Sequence, residues 1–119
     1  MAFTTIQGSA ANDGTSFVGT SGVDSVLVQN EKNFFVGAQQ AGDTIQYTDY
    51  TNVVSGATMK GGQGNDAFNP TANTINLNNV FINGNKDTDT FGTVVALGTA
   101  TNTTLYGGQG NDTITFGNT

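Results

Sequence analysis

Three aspartates, Asp66, Asp89 and Asp112, recur at intervals of 23 residues, each closing a short glycine-bearing segment. Two of the segments are identical: Gly61-Gly62-Gln63-Gly64-Asn65-Asp66 and Gly107-Gly108-Gln109-Gly110-Asn111-Asp112. Midway between them lies a degenerate copy, Gly84-Asn85-Lys86-Asp87-Thr88-Asp89. Carboxylates set beside glycine-rich turns and stacked at a fixed spacing suit an oxygen-liganded hard cation such as Ca²⁺, because a cation between neighbouring turns relieves their mutual repulsion. The series extends towards the amino terminus. Asp24 closes Gly19-Thr20-Ser21-Gly22-Val23-Asp24, Asp43 closes the segment 37–43 with one extra residue, and Asp13 closes a looser copy at 8–13.

Positioning such a column requires an architecture with the same period. A 23-residue repeat points to a stacked solenoid rather than an ordinary globular core. Two residues after the aspartates stand Val26, Ile45, Phe68, Phe91 and Ile114, an apolar column that reads as the inward side of a strand leaving the turn. Met59, then Phe81 with Ile82, then Leu105 with Tyr106 precede the turns. Val53 with Val54, then Ile75 with Leu77, then Val94, Val95 and Leu97 fall mid-repeat. Each repeat therefore supplies about three short strands, and the expected fold is an all-β parallel β-solenoid of the β-roll or β-helix kind with calcium-binding turns. Residues 43–119 form the regular part. Residues 1–42, with aspartate spacings of 11 and 19, form an irregular amino-terminal cap on the same domain.

Composition agrees. Thr, Asn and Gly are poor helix formers, and the apolar content is 35%. The net charge is −6, with only Lys32, Lys60 and Lys86 as cations, which excludes a basic patch for nucleic acid. The absence of cysteine and histidine removes disulfides, the commonest general base and the commonest transition-metal ligand. With a single glutamate, Glu31, and the aspartates already placed in turns, no catalytic role is expected. The amino-terminal residues carry neither a charged n-region nor a long apolar segment, so neither a secretory signal nor membrane insertion is expected.

The two exact turns with the strands that follow, 61–69 and 107–115, match the nonapeptide Gly-Gly-x-Gly-x-Asp-x-apolar-x and resemble the repeats-in-toxin (RTX) calcium-binding family. The resemblance implies that backbone carbonyls and the aspartate carboxylate of each turn hold Ca²⁺. The metal set it suggests is Gly61, Gln63, Asn65 and Asp66, with Gly107, Gln109, Asn111 and Asp112, joined by Asp87 and Asp89 and by Asp24 and Asp43. The chain departs from the family in having one turn per 23 residues rather than a nine-residue repeat, and in replacing two glycines at 84–89, where Lys86 introduces a positive charge.

The functional expectation is a non-enzymatic calcium-binding structural module of an extracellular or cell-surface assembly. A rival reading is a virion or filament subunit that associates end to end, because the sequence stops just after a strand begins at Thr113. A third is an ice- or glycan-binding adhesin segment, suggested by the column Ser25, Thr44, Ala67, Thr90 and Thr113 and by Tyr47, Tyr50 and Tyr106, expected to be partly exposed.

Overall fold

The computed structural model of this chain describes every residue except 1, 8–13, 15, 30–31, 49–52, 71–73, 93–95 and 116–119. Asp13, Glu31, Tyr50, Val94 and Val95 therefore lie outside the described residues. Among the rest there is no helix, and none that could cross a membrane. The strands are β1 (Ala2–Gln7), β2 (Ser16–Val18), β3 (Asp24–Gln29), β4 (Phe35–Gln40), β5 (Thr44–Thr48), β6 (Val53–Ser55) and β7 (Thr58–Gln63). They continue as β8 (Ala67–Pro70), β9 (Thr74–Asn78), β10 (Phe81–Lys86), β11 (Thr90–Phe91), β12 (Ala96–Thr101), β13 (Thr104–Gln109) and β14 (Thr113–Ile114).

The strands fall into three parallel sheets, one per side of the coil. The exit sheet, leaving the aspartate turns, runs β1-β3-β5-β8-β11-β14, the entry sheet β13-β10-β7-β4-β2 and the third sheet β12-β9-β6. Every strand pairs with the equivalent strand of the next coil, so the chain is a parallel β-solenoid. Coils 43–65, 66–88 and 89–111 carry strands of all three sheets. The shorter coil 24–42 gives no strand to the third sheet among the described residues, which fits its 19-residue length.

Alternation of side chains along each strand buries one column per side. From the exit sheet come Val26, Ile45, Phe68 and Phe91. Val36, Met59 and Ile82 come from the entry sheet, and Val54 and Leu77 from the third. All are almost wholly shielded from solvent. Phe68 and Phe91 stack with centroids 4.9 Å apart and planes 9° from parallel, which is the strand spacing expressed in rings. The apolar column continues to Ile114, but on the final coil it is 43% exposed. Tyr47, expected near the surface, lies in the core beside Val28. Burial pushes its phenol well above the usual range.

The amino-terminal segment joins the same sheets: β1 pairs along all six residues with β3, placing Ala2 opposite Asp24. The aspartate column therefore begins at Asp24. A second corner column, unremarked in the sequence, joins the third sheet to the entry sheet: Asn33, Gly56, Asn79 and Asn102. All four adopt left-handed backbone, at φ 55, 69, 54 and 48°. The amide of Asn33 donates to the Ser55 carbonyl at 2.9 Å, and those of Gly56 and Asn79 donate likewise to Asn78 and Thr101. Asn and Gly are the residue types that tolerate this region.

A candidate metal-binding ladder at the turns

Four turns, 38–43, 61–66, 84–89 and 107–112, share one backbone signature. Their second and fourth positions have positive φ: Gln39 and Ala41 (83 and 76°), Gly62 and Gly64 (108 and 117°), Asn85 and Asp87 (78 and 79°), Gly108 and Gly110 (100 and 127°). Ala38-Gln39-Gln40-Ala41-Gly42-Asp43 is thus a full six-residue turn. Gly37 stands ahead of it, paired with Lys60, and there is no extra residue.

Stacking makes glycine necessary at the exact copies. A side chain on Gly62 would overlap the Gln39 carbonyl of the preceding coil, and one on Gly64 would overlap that of Ala41. Gly108 and Gly110 stand in the same relation to the carbonyls of Asn85 and Asp87. The opening glycine has a different reason: a Cβ on Gly61, Gly84 or Gly107 would collide with Oδ2 of Asp66, Asp89 or Asp112 respectively. These three turns thus fold their own carboxylates inward against their first residues, while the carbonyls of Gln39, Ala41, Asn85 and Asp87 point towards the next coil.

The carboxylates form a continuous ladder. The Asp24 amide donates to Asp43 Oδ1 at 2.6 Å, the Asp43 amide to Asp66 Oδ1 at 2.8 Å, and the Asp66 amide to Asp89 Oδ1 at 2.9 Å. The last rung runs from the Asp89 amide to Asp112 Oδ1, also at 2.9 Å. Asp24, Asp43, Asp66 and Asp89 are each at most 2% exposed. Oδ2 of Asp43, Asp66 and Asp89 is buried with no hydrogen-bond partner.

Burial drives the titration of this column. The Asp43 carboxyl is raised to about 6, chiefly by desolvation; the hydrogen bond from Asp24 opposes this and the Asp24 charge adds to it. Asp66 is raised to about 7, again first by burial, with the charges of Asp89, Asp43 and Asp87 adding. Asp89 moves in the same direction, for burial and for the neighbouring charges of Asp112 and Asp87. A buried anion with one oxygen unsatisfied is costly, and either a proton or a cation would relieve it.

Turn 19–24 is built differently. The Thr20 amide donates to Asp24 Oδ2 at 2.6 Å, and the Thr20 hydroxyl donates to Asp24 Oδ1 at 3.0 Å. The Gly22 amide donates to the Thr20 hydroxyl oxygen at 3.1 Å. Both oxygens of Asp24 are thereby satisfied within the turn.

The expected ligands separate accordingly. Asp24, Asp43, Asp66, Asp89 and Asp112 come together in one column. Gln63, Gln109 and Asn111 have exposed side chains, so only their backbone oxygens belong to the turn. Asn65, also exposed, accepts the Thr88 amide on its Oδ1 at 2.9 Å. Asp87 is exposed, and its Oδ2 accepts the Gly64 amide at 2.9 Å, tying the degenerate turn to the one before it. Among the described residues no three His, Cys, Asp or Glu side chains converge on a common point. A cation here would take one carboxylate and several carbonyl oxygens per gap, a hard oxygen set of the kind Ca²⁺ accepts with water completing it.

The fold and the column define a parallel β-solenoid with an acidic turn ladder. Searches of family models, of curated proteins and of solved structures return no match for this chain.

Proposed function

We propose that the stacked turns hold Ca²⁺ between coils, and that the chain is a calcium-dependent structural solenoid module of an extracellular or cell-surface assembly. The observation that carries this is the row of buried, partnerless Oδ2 atoms on Asp43, Asp66 and Asp89. The carbonyls of Gln39, Ala41, Asn85 and Asp87 face the following turn and supply further oxygens. The resemblance of 61–69 and 107–115 to RTX repeats supports the same reading, with the carboxylates of Asp43, Asp66 and Asp89 as the charged ligands.

Calcium would neutralise the ladder and add its binding energy to folding. At free calcium ten times the dissociation constant, each site contributes about 1.4 kcal/mol. The competing occupant is a proton, since the same burial that favours a cation also favours the neutral acid.

The test is far-UV circular dichroism and sedimentation after exhaustive chelation, with calcium added back at pH 7.5. Gain of β-structure or of thermal midpoint on titration, lost in Asp66→Ala, supports the reading. A chain equally folded and equally stable in chelator, indifferent to calcium, sinks it. Self-association end to end is a second reading. Its motive is the exposure of Tyr106 (56%) and Ile114 (43%), apolar side chains of β13 and β14 open to a partner. Growth of oligomers in the same sedimentation series would favour it, and a monomer at all calcium concentrations would remove it.

A further inference from the structure

Of the five turns that close on an aspartate of the column, the first satisfies both carboxylate oxygens from its own residues. In turn 19–24, Thr20 supplies two donors to Asp24, one from the backbone and one from the hydroxyl, and its oxygen also receives the Gly22 amide. In the next three turns, Oδ2 of Asp43, Asp66 and Asp89 has no partner. The Thr20 backbone amide thus meets at Oδ2, within one turn, the need that an external cation would meet in the others, and the Thr20 hydroxyl, itself held by the Gly22 amide, adds a second bond at Oδ1.

The exit sheet and the core both support this turn. The exit sheet is broadest here: β1 and β3 pair over six residues and β3 and β5 over five, whereas β8–β11 and β11–β14 pair over two each. The core beneath it, Val26, Val28, Val36, Ala38 and Ile45, is fully buried. Exit-sheet pairing is therefore longer near Asp24 than near Asp112, whereas the entry sheet is narrower there, with β2 and β4 pairing over three residues.

We infer that the Thr20–Asp24 turn is a metal-independent cap: it seats the first aspartate without a cation and keeps the adjoining coils in register when the ladder is empty. The ladder then assembles outward from it, each loaded turn presenting its carbonyls to the next. Asp24 is the foundation of the column and not one of its metal ligands. This inference rests on the calcium reading for its contrast, and on Thr20 alone for its mechanism. Thr20 acts by positioning, and no ligand touches it.

The experiment is residue-resolved amide exchange on the full chain, in chelator and in saturating calcium, for the native sequence and for Thr20→Val and Thr20→Ser. In the native chain, the Thr20 and Gly22 amides, whose acceptors lie within the turn, should keep similar protection in both conditions. The Gly64, Asp66 and Thr88 amides should exchange on the order of tenfold or more faster in chelator. Thr20→Val removes the hydroxyl that bridges Asp24 and Gly22, and should accelerate the first-turn amides in chelator by on the order of tenfold. Thr20→Ser should restore them. A first turn that loses protection in chelator together with the later turns overturns the cap. So does a Thr20→Val chain with native first-turn exchange. Exchange indifferent to calcium throughout would sink the calcium reading alone, and a first-turn loss confined to Thr20→Val would still uphold the cap.

Discussion

Turns 19–24 and 61–66 lie two coils apart in the same column and seat the same residue by opposite means. The first surrounds its aspartate with donors drawn from its own residues: an amide, a hydroxyl, and a second amide that locks the hydroxyl in place. The second presents glycines so that backbones can approach, folds the carboxylate inward against Gly61, and leaves one oxygen without a donor. One turn satisfies its own carboxylate, and three along the column leave an oxygen without a partner. An ordinary Asp turn folds wherever the chain folds. A turn with a buried, half-satisfied anion carries a cost that a proton or a cation would relieve.

pH should open the widest gap between the two kinds of turn, because it acts on several carboxylates at once. Asp43, Asp66 and Asp89 bind protons more tightly when folded than the ordinary value of 3.8 for an exposed aspartate, the first two at about 6 and about 7. Their contribution is therefore fully present below about pH 3.8, and is lost as pH rises through about 6 and 7. In chelator the urea midpoint should fall between pH 4 and pH 8. Saturating calcium should flatten or reverse that fall, since it competes with protons for the same oxygens. A midpoint that climbs with pH in chelator would mean these anions already have partners when folded.

A smaller effect is expected from Gly64→Ala. At φ 117°, and with the Ala41 carbonyl where the new methyl must go, the substitution should cost about 2–3 kcal/mol by denaturant titration. A loss under about 0.5 kcal/mol, the usual surface value, would show that the stacked backbones can part without penalty.

The finest discrimination comes from paired amides. Asp24→Asn removes charge-assisted bonds that exist without metal, so it should cost about 1.5–3 kcal/mol in calcium and in chelator alike. Asp66→Asn should be harmful only in calcium, and neutral or mildly stabilising in chelator, where it deletes a costly buried charge. Equal behaviour of the two variants in chelator would erase the distinction between the turns.

Much of this was readable from residues. The 23-residue interval fixed the coil, and the apolar position two after each aspartate identified the inward column, since a strand must alternate. What escaped notice had physical reasons too. Ala38 to Asp43 hides the turn signature because Gln39 and Ala41 adopt positive φ without being glycine, so no composition rule finds them. The Asn33, Gly56, Asn79 and Asn102 corner repeats at the same 23-residue interval, and was legible in principle, but Asn and Gly are too common in this chain to stand out. Tyr47 looked like a surface aromatic because its burial depends on what the neighbouring coils place around it. The contrast at Asp24 was invisible from spacing, as Gly19-Thr20-Ser21-Gly22-Val23-Asp24 matches the turn pattern and only the two Thr20 donors, amide and hydroxyl, reveal the difference.

The slip in the third sheet has a consequence for how such a chain can vary. Leu97 aligns with Ile75 at an offset of 22, whereas Ala100 aligns with Leu77 at 23, with an irregularity of one residue between them. The Thr99 amide meets Asn76 Oδ1 at 2.8 Å across the displaced stretch. The register is thus one residue short at Leu97 and restored by Ala100, before the chain reaches the next turn, and Asp112 falls in line with Asp89. The side of the coil remote from the carboxylates serves as slack, so insertions and losses can accumulate there while the turns keep their alignment. Grafted loops or tags in a designed variant belong on that side, where a length error is corrected within a single coil.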